Sequence, residues 1–174
     1  MSGAFPISTA KFGTLGIKSI QNTIISKTVS GKKLARQIDN QRWAFTVQII
    51  TGNRSDVYGD LMAFIVKQRS GKENFTIIPP EIEDARFKAG DFIKFASHTK
   101  VYMVVSDVTS SSGGATVTIE PPLLIALTDD SVVTYDNVPF TVYLTSDIQE
   151  FGVNGADKDG TLYYEYQFDV EEAL

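Results

Sequence analysis

Apolar and polar side chains alternate along much of this chain, and the alternation is sharpest in two segments. Over residues 42–50, Trp43, Phe45, Val47 and Ile49 fall on one parity and Arg42, Ala44, Thr46 and Gln48 on the other. Over residues 162–171, Leu162, Tyr164, Tyr166, Phe168 and Val170 alternate with Tyr163, Glu165, Gln167, Asp169 and Glu171. Successive strand side chains point to opposite faces, so both segments predict strands with one buried face. Shorter stretches rich in Ile, Val, Thr and aromatic residues predict further strands at 17–29, 34–38, 74–78, 91–95, 100–107, 115–120, 132–135 and 139–144. Turn chemistry separates them: Ser30-Gly31-Lys32-Lys33, Asp39-Asn40 and the Ser/Gly-rich residues 109–114. Pro79-Pro80 and Pro121-Pro122 each close a strand, because proline cannot donate to a ladder. The Gly-rich residues 1–16 predict an extended arm, with Phe5, Pro6 and Phe12 as its anchors.

The period changes once. Val57, Leu61, Phe64 and Ile65 recur at helical spacing, with Ser55 placed to cap, Asp56 in the first turn, Lys67 and Arg69 in the last turn and Gly71 just beyond. This predicts one substantial helix over about residues 55–70, with Leu61, Phe64 and Ile65 packed on a sheet that includes Trp43 and Phe45. Gly59 inside it weakens a helix by about 1 kcal/mol relative to Ala, which points to a close contact there. The fold class is therefore mainly β: antiparallel strands in a barrel or sandwich with one flanking helix.

At 174 residues the chain suits one domain, or one carrying a small insertion. The apolar face of the last strand needs partners from the first half. Residues 1–87 and 138–174 are thus expected to form one body, with residues 88–137 a small inserted β module. Cysteine is absent, which excludes a disulfide framework, a thiol nucleophile and a thiolate metal site. The N-terminal residues lack a basic stretch followed by an apolar one, so no signal peptide is expected, and the apolar runs are too short to span a bilayer. The net charge of −5 hides an asymmetry. Residues 1–87 hold 12 Lys/Arg against 7 Asp/Glu, whereas residues 88–174 hold 4 Lys against 14 Asp/Glu. The imbalance reads either as surface variation around a soluble barrel or as a molecule with opposite faces, and the second favours head-to-tail association between copies. Lys32, Lys33 and Arg36 are the basic interface candidates, and Asp129, Asp130, Glu171 and Glu172 the acidic ones.

Chemistry is sparse. The single histidine, His98, has no second His or Cys with which to build a zinc site, and no catalytic role is assigned to it. No nucleophile elbow, P-loop or dinucleotide fingerprint occurs. Aligning Asp157-Lys158-Asp159-Gly160 with a calcium loop leaves Gly155 and Tyr166 at two ligand positions, so an acidic turn is the better reading. The adjacent carboxylates Asp129-Asp130 and Glu171-Glu172 point to opposite faces and make no acid/base couple, and both pairs are expected to be solvated or interface charges. The basic residues Lys27, Lys32, Lys33, Arg36 and Arg42 lack an RNA-binding aromatic motif and sit in an acidic protein, so sequence-specific nucleic-acid binding is not expected.

A larger pattern runs through these pieces. A Lys/Arg hairpin precedes the strand Arg42-Trp43-Ala44-Phe45-Thr46-Val47. The helix ends Ala63-Phe64-Ile65-Val66-Lys67-Gln68-Arg69-Ser70-Gly71. Phe75-Thr76-Ile77-Ile78-Pro79-Pro80 follows, then Lys88-Ala89-Gly90-Asp91-Phe92-Ile93-Lys94-Phe95, Lys100-Val101-Tyr102, Thr118-Ile119-Glu120-Pro121-Pro122-Leu123 and Val138-Pro139-Phe140-Thr141-Val142. From about residue 5 to 174 this order resembles a group of tail proteins of tailed bacteriophages. It resembles more distantly the distal tail proteins and the lambdoid minor tail proteins of the tube tip. The resemblance implies a tail-tube-type barrel with one helix, closed into a ring, usually sixfold, at the distal tube end or baseplate hub. It implies no enzyme activity and no cofactor. The implied partners are copies of itself and other tail proteins (tube, hub and fibres), with DNA only as passing cargo. The implied location is the virion tail, assembled in the bacterial cytoplasm. The competing class is a monomeric carbohydrate-binding β-sandwich, which calls for exposed Trp and Tyr platforms. A glycan hydrolase needs a spaced carboxylate pair that the sequence does not offer.

Overall fold

The computed structural model describes residues 3–6, 11–79 and 87–174. The arm expected over residues 1–16 lies partly outside the described residues, as does Pro80 of the first Pro-Pro pair. The strands run in chain order β1 (Phe12–Ile20), β2 (Thr23–Lys27), β3 (Lys33–Gln37) and β4 (Arg42–Asn53). A π-helical turn, Arg54–Tyr58, leads into α1 (Gly59–Lys67). Then follow β5 (Phe75–Ile77), β6 (Phe92–Phe95), β7 (Val101–Val104), β8 (Ser110–Ser111), β9 (Gly114–Ala115), β10 (Ile119–Glu120) and β11 (Val133–Thr134). The last three are β12 (Phe140–Leu144), β13 (Gly152–Ala156) and β14 (Leu162–Glu172).

The main sheet has six strands in the order β1-β4-β14-β12-β5, with β13 paired to the first half of β14. Every ladder in it is antiparallel. The two segments with the sharpest alternation, β4 and β14, are neighbours at its centre, Phe45 facing Val170 and Val47 facing Phe168. The order is open, and among the described residues no ladder joins β1 to β5 to close a barrel. A four-stranded antiparallel sheet, β10-β7-β6-β11, packs its own smaller cluster of Ile93, Phe95, Tyr102 and Val104. Phe92, Val101 and Met103 turn the other way and join the main core beside Trp43 and Phe140.

Period-two burial along β4 follows the sequence: Trp43, Phe45, Val47 and Ile49 are buried and their neighbours are not. α1 lays Leu61 and Ile65 into the same core. Phe5 tethers the N-terminal segment, its ring within contact of Phe12, Phe64, Phe75 and Phe168.

Four local expectations are revised. The strand expected at 17–29 is two strands. β1 begins earlier, inside the expected arm, and β2 leaves the main sheet to pair with β3 alone. β13 was not foreseen, because Gly152, Asn154 and Gly155 make its sequence read as a loop. The π-helical turn that leads into α1 is capped by Asn53, whose side chain accepts from the Asp56 amide at 2.9 Å, instead of by Ser55. At the far end the left-handed residues are Arg69 and Ser70 (φ 53° and 61°), whereas Gly71 lies against the Leu144 carbonyl.

The tight spot at Gly59 is also explained. Its amide donates to the Arg54 carbonyl across the π-helical turn. A Cβ at position 59 would stand 2.9 Å from that oxygen. Gly59→Ala should therefore lower the melting temperature measured by circular dichroism, against the roughly 1 kcal/mol gain that Ala brings to an ordinary helix interior.

Candidate assembly surface

β2 and β3 form a two-stranded hairpin separate from both larger sheets. Thr28–Lys32 makes its turn, with the Thr28 amide donating to Lys32 O at 3.0 Å and Gly31 supplying a φ of 81° that a side chain would resist. All ten residues of the two strands are exposed, on both faces. Residues directly opposite share a face, so Ile24, Ser26, Leu34 and Arg36 lie on one side and Ile25, Lys27, Lys33 and Ala35 on the other. A lone hairpin with apolar residues on both faces is marginal in water. The three basic candidates, Lys32, Lys33 and Arg36, are all exposed on it.

The acidic candidates are scattered. Asp129 and Asp130 are exposed in a turn between β10 and β11. Glu171 is partly covered and pairs with Arg42 at 3.0 Å, and Arg42 also pairs with Asp39 at 2.9 Å. Glu172 does not belong to the set. It is 1% exposed, and its carboxylate serves the interior. One oxygen accepts from the Val101 amide at 2.8 Å. The other accepts from the Trp43 amide at 3.2 Å and from the Lys100 ammonium. Lys100 is equally buried, with its Nζ 5.6 Å from the Trp43 ring centroid, and the Trp43 indole donates to Val101 O at 2.9 Å. Burial pushes the Lys100 pKa down, and the Glu172 charge works against that. The group joins the start of β4, the start of β7 and the end of β14. The signal was in the sequence: Glu172 continues the inward parity of Phe168 and Val170.

The remaining singled-out residues are structural. His98 is buried, with Nδ1 2.7 Å from the Tyr102 hydroxyl, which also accepts from the Leu124 amide. Asp157 caps its own turn, its Oδ1 accepting from the Asp159 and Thr161 amides, each at 2.9 Å. Among the described residues no group of three or more His, Asp or Glu is arranged to hold a metal, and no helix is long and apolar enough to cross a membrane. An exposed charged hairpin, open antiparallel sheets and ionisable groups turned to the core define a mainly β protein.

Comparison with known families gives that class a setting. Residues 53–138 match the family described as distal tail protein pb9, B domain. The matched segment is just under half of the chain, opening at the last residue of β4 and taking in α1, β5 and the four-stranded sheet. No curated protein matches the chain. The match supports a bacteriophage distal tail protein with a structural role in the tail.

Two predictions concern the buried groups. Glu172→Ala should lower stability by about 3–5 kcal/mol, because it strands a buried ammonium and two amides. Lys100→Met combined with Glu172→Gln should recover part of that loss in denaturant titrations followed by Trp43 fluorescence. At high pH the buried tyrosines are sensitive, Tyr58 among them and Tyr166 shifted up further still. Burial pushes the Tyr58 phenol up to about 12, and the hydroxyl donates to Ile50 O at 3.2 Å. An unfolded tyrosine ionises near 10, so this contribution is complete below about pH 10 and is lost as the pH rises towards 12, by about 2–3 kcal/mol. Tyr58→Phe should flatten the corresponding fall in stability.

Proposed function

We propose that the chain is a ring-forming subunit at the distal end of a phage tail tube or in the baseplate hub. In this reading it joins the tube to the tip and fibre apparatus and leaves a channel for DNA. The match of residues 53–138 to a distal-tail-protein domain carries the reading. Two structural features support it. Among the described residues β1 is an edge strand with one unpaired side, and the β2–β3 hairpin presents apolar and basic residues exposed on both faces. Such surfaces are unfavourable in a monomer and useful in an assembly.

The ring is proposed to be a hexamer of identical copies, assembled in the host cytoplasm and carried in the virion tail. Residues 1–87 and 138–174 form its body and residues 88–137 a module on that body. Among the described residues β6, β7, β10 and β11 pair only with one another, which supports this division. An acidic surplus suits a channel wall, because like charge keeps passing DNA from sticking. The protein is proposed to be no enzyme and to hold no cofactor. The carbohydrate-binding alternative asked for an exposed tryptophan platform, and Trp43 is 6% exposed and committed to the core.

Light scattering and negative-stain microscopy of the concentrated protein should show closed rings, and monomers at every concentration would sink the reading. Lys32→Glu, Lys33→Glu and Arg36→Glu together should slow ring formation while leaving the monomer folded. Each exposed pair is worth about 0–1 kcal/mol, so the effect should be largest at low salt. His98→Ala should leave assembly intact.

A further inference from the structure

The ring reading requires that one patch of the chain meet a different patch on the next copy. The basic patch is the hairpin, and its counterpart follows from where the hairpin sits on the sheet. The hairpin leaves the main sheet beyond Ile20 and re-enters at Arg42, at the starting end of β4. At the other end of β4, Asn53 and Gly52 face Tyr163 and Tyr164 of β14, and β13 pairs with that same part of β14. β4 is 12 residues long, about 40 Å in extended form, so the two projections lie at opposite ends of the body.

Their chemistry is complementary. Residues 22–38 hold Lys27, Lys32, Lys33 and Arg36 and no acid. Residues 147–165 hold Asp147, Glu150, Asp157, Asp159 and Glu165 against the single base Lys158. The charges are +4 and −4. Both ends also expose apolar side chains: Ile24, Ile25 and Leu34 at 57%, 56% and 49% on the hairpin, and Ile148, Val153 and Leu162 at 81%, 58% and 46% on the acidic end. The acidic end is firmly built. Phe151 stacks on Tyr166 at 4.4 Å, the Tyr166 hydroxyl bonds the Gln149 side chain, and Ser70 donates to Asp147 O at 3.2 Å. Among the described residues β13 pairs with β14 and with no other strand, which leaves one side of it open to a further strand.

We propose that the β2–β3 hairpin of one copy docks on the acidic β13–β14 end of a second copy of this chain. The match in apolar area and charge, at opposite ends of one strand, makes the contact heterologous and lets it repeat. Asp129 and Asp130 are the lesser counterpart: they offer two carboxylates, and nothing places their turn opposite the hairpin.

The absence of cysteine makes the test direct. Chains carrying Ala35→Cys are mixed with chains carrying Asn154→Cys under mild oxidation. Both positions are exposed, and a disulfide between the two kinds of chain can form only across copies. Mixed dimers should outnumber either homodimer. The yield should fall about tenfold when Lys32, Lys33 and Arg36 are reversed to Glu, and return when the partner chain carries Asp147→Lys, Glu150→Lys and Asp159→Lys. Thr23→Cys with Val153→Cys serves as a second pair, and Trp43 fluorescence checks that each variant is folded. Preferential cross-linking of Ala35→Cys to Leu124→Cys, beside the Asp129 turn, would overturn the proposal. So would visible rings in which neither designed pair cross-links, a result that leaves the ring reading standing. A chain that stays monomeric throughout overturns both.

Discussion

A single carboxylate, that of Glu172, is the point at which three parts of the chain are held to one another. It accepts from an amide at the start of β4, from an amide at the start of β7 and from the Lys100 ammonium, and its own backbone belongs to β14. Removing a carboxylate and an ammonium from water carries a heavy desolvation penalty, and only dense hydrogen bonding offsets it. Here each carboxylate oxygen has at least one donor. The apolar contacts around it, Trp43 on Phe92 at 5.0 Å and Phe92 on Phe140 at 5.2 Å, exclude water and strengthen the pair further. The four-stranded sheet is thereby fixed against the main one by a directional polar contact as well as by its shared apolar core.

The fold was legible where the apolar pattern was regular. β4 and β14 alternate cleanly, and the core takes their inward residues. The helix was legible from four apolar positions at the right spacing, although its entry as a π-helical turn was not. That turn depends on the Gly59 amide reaching the Arg54 carbonyl, a detail no periodicity reports. β13 was illegible for a physical reason. Two glycines and an asparagine have weak strand preference, and the segment is a strand because β14 offers it an unpaired edge.

The proposed docking surfaces were half legible. The basic hairpin could be read from lysines flanking a glycine turn, since such a turn between short strands projects. Its proposed acidic counterpart could not, because Asp147, Glu150, Asp157, Asp159 and Glu165 are spread over residues 147–165, whose two strands are joined only by the pairing of β13 with β14. Glu172 misled in the opposite sense. Its charge suggested solvent, but its parity placed it inward, and for the last turn of an alternating strand parity proved the stronger guide.

The placement of β14 between β4 and β12 has a consequence for how the protein is made. Phe45 waits for Val170, its partner 125 residues further along the chain. At about 5–20 residues per second of synthesis, the inner edge of β4 stands bare for some 6–25 s. Through that interval the nascent chain carries a long strand with a fully apolar face and no neighbour on one side, the kind of edge on which chains aggregate. Helper proteins that shield nascent strands would therefore act on this chain chiefly between the emergence of β4 and that of β14, and the yield of soluble protein should be set during that window.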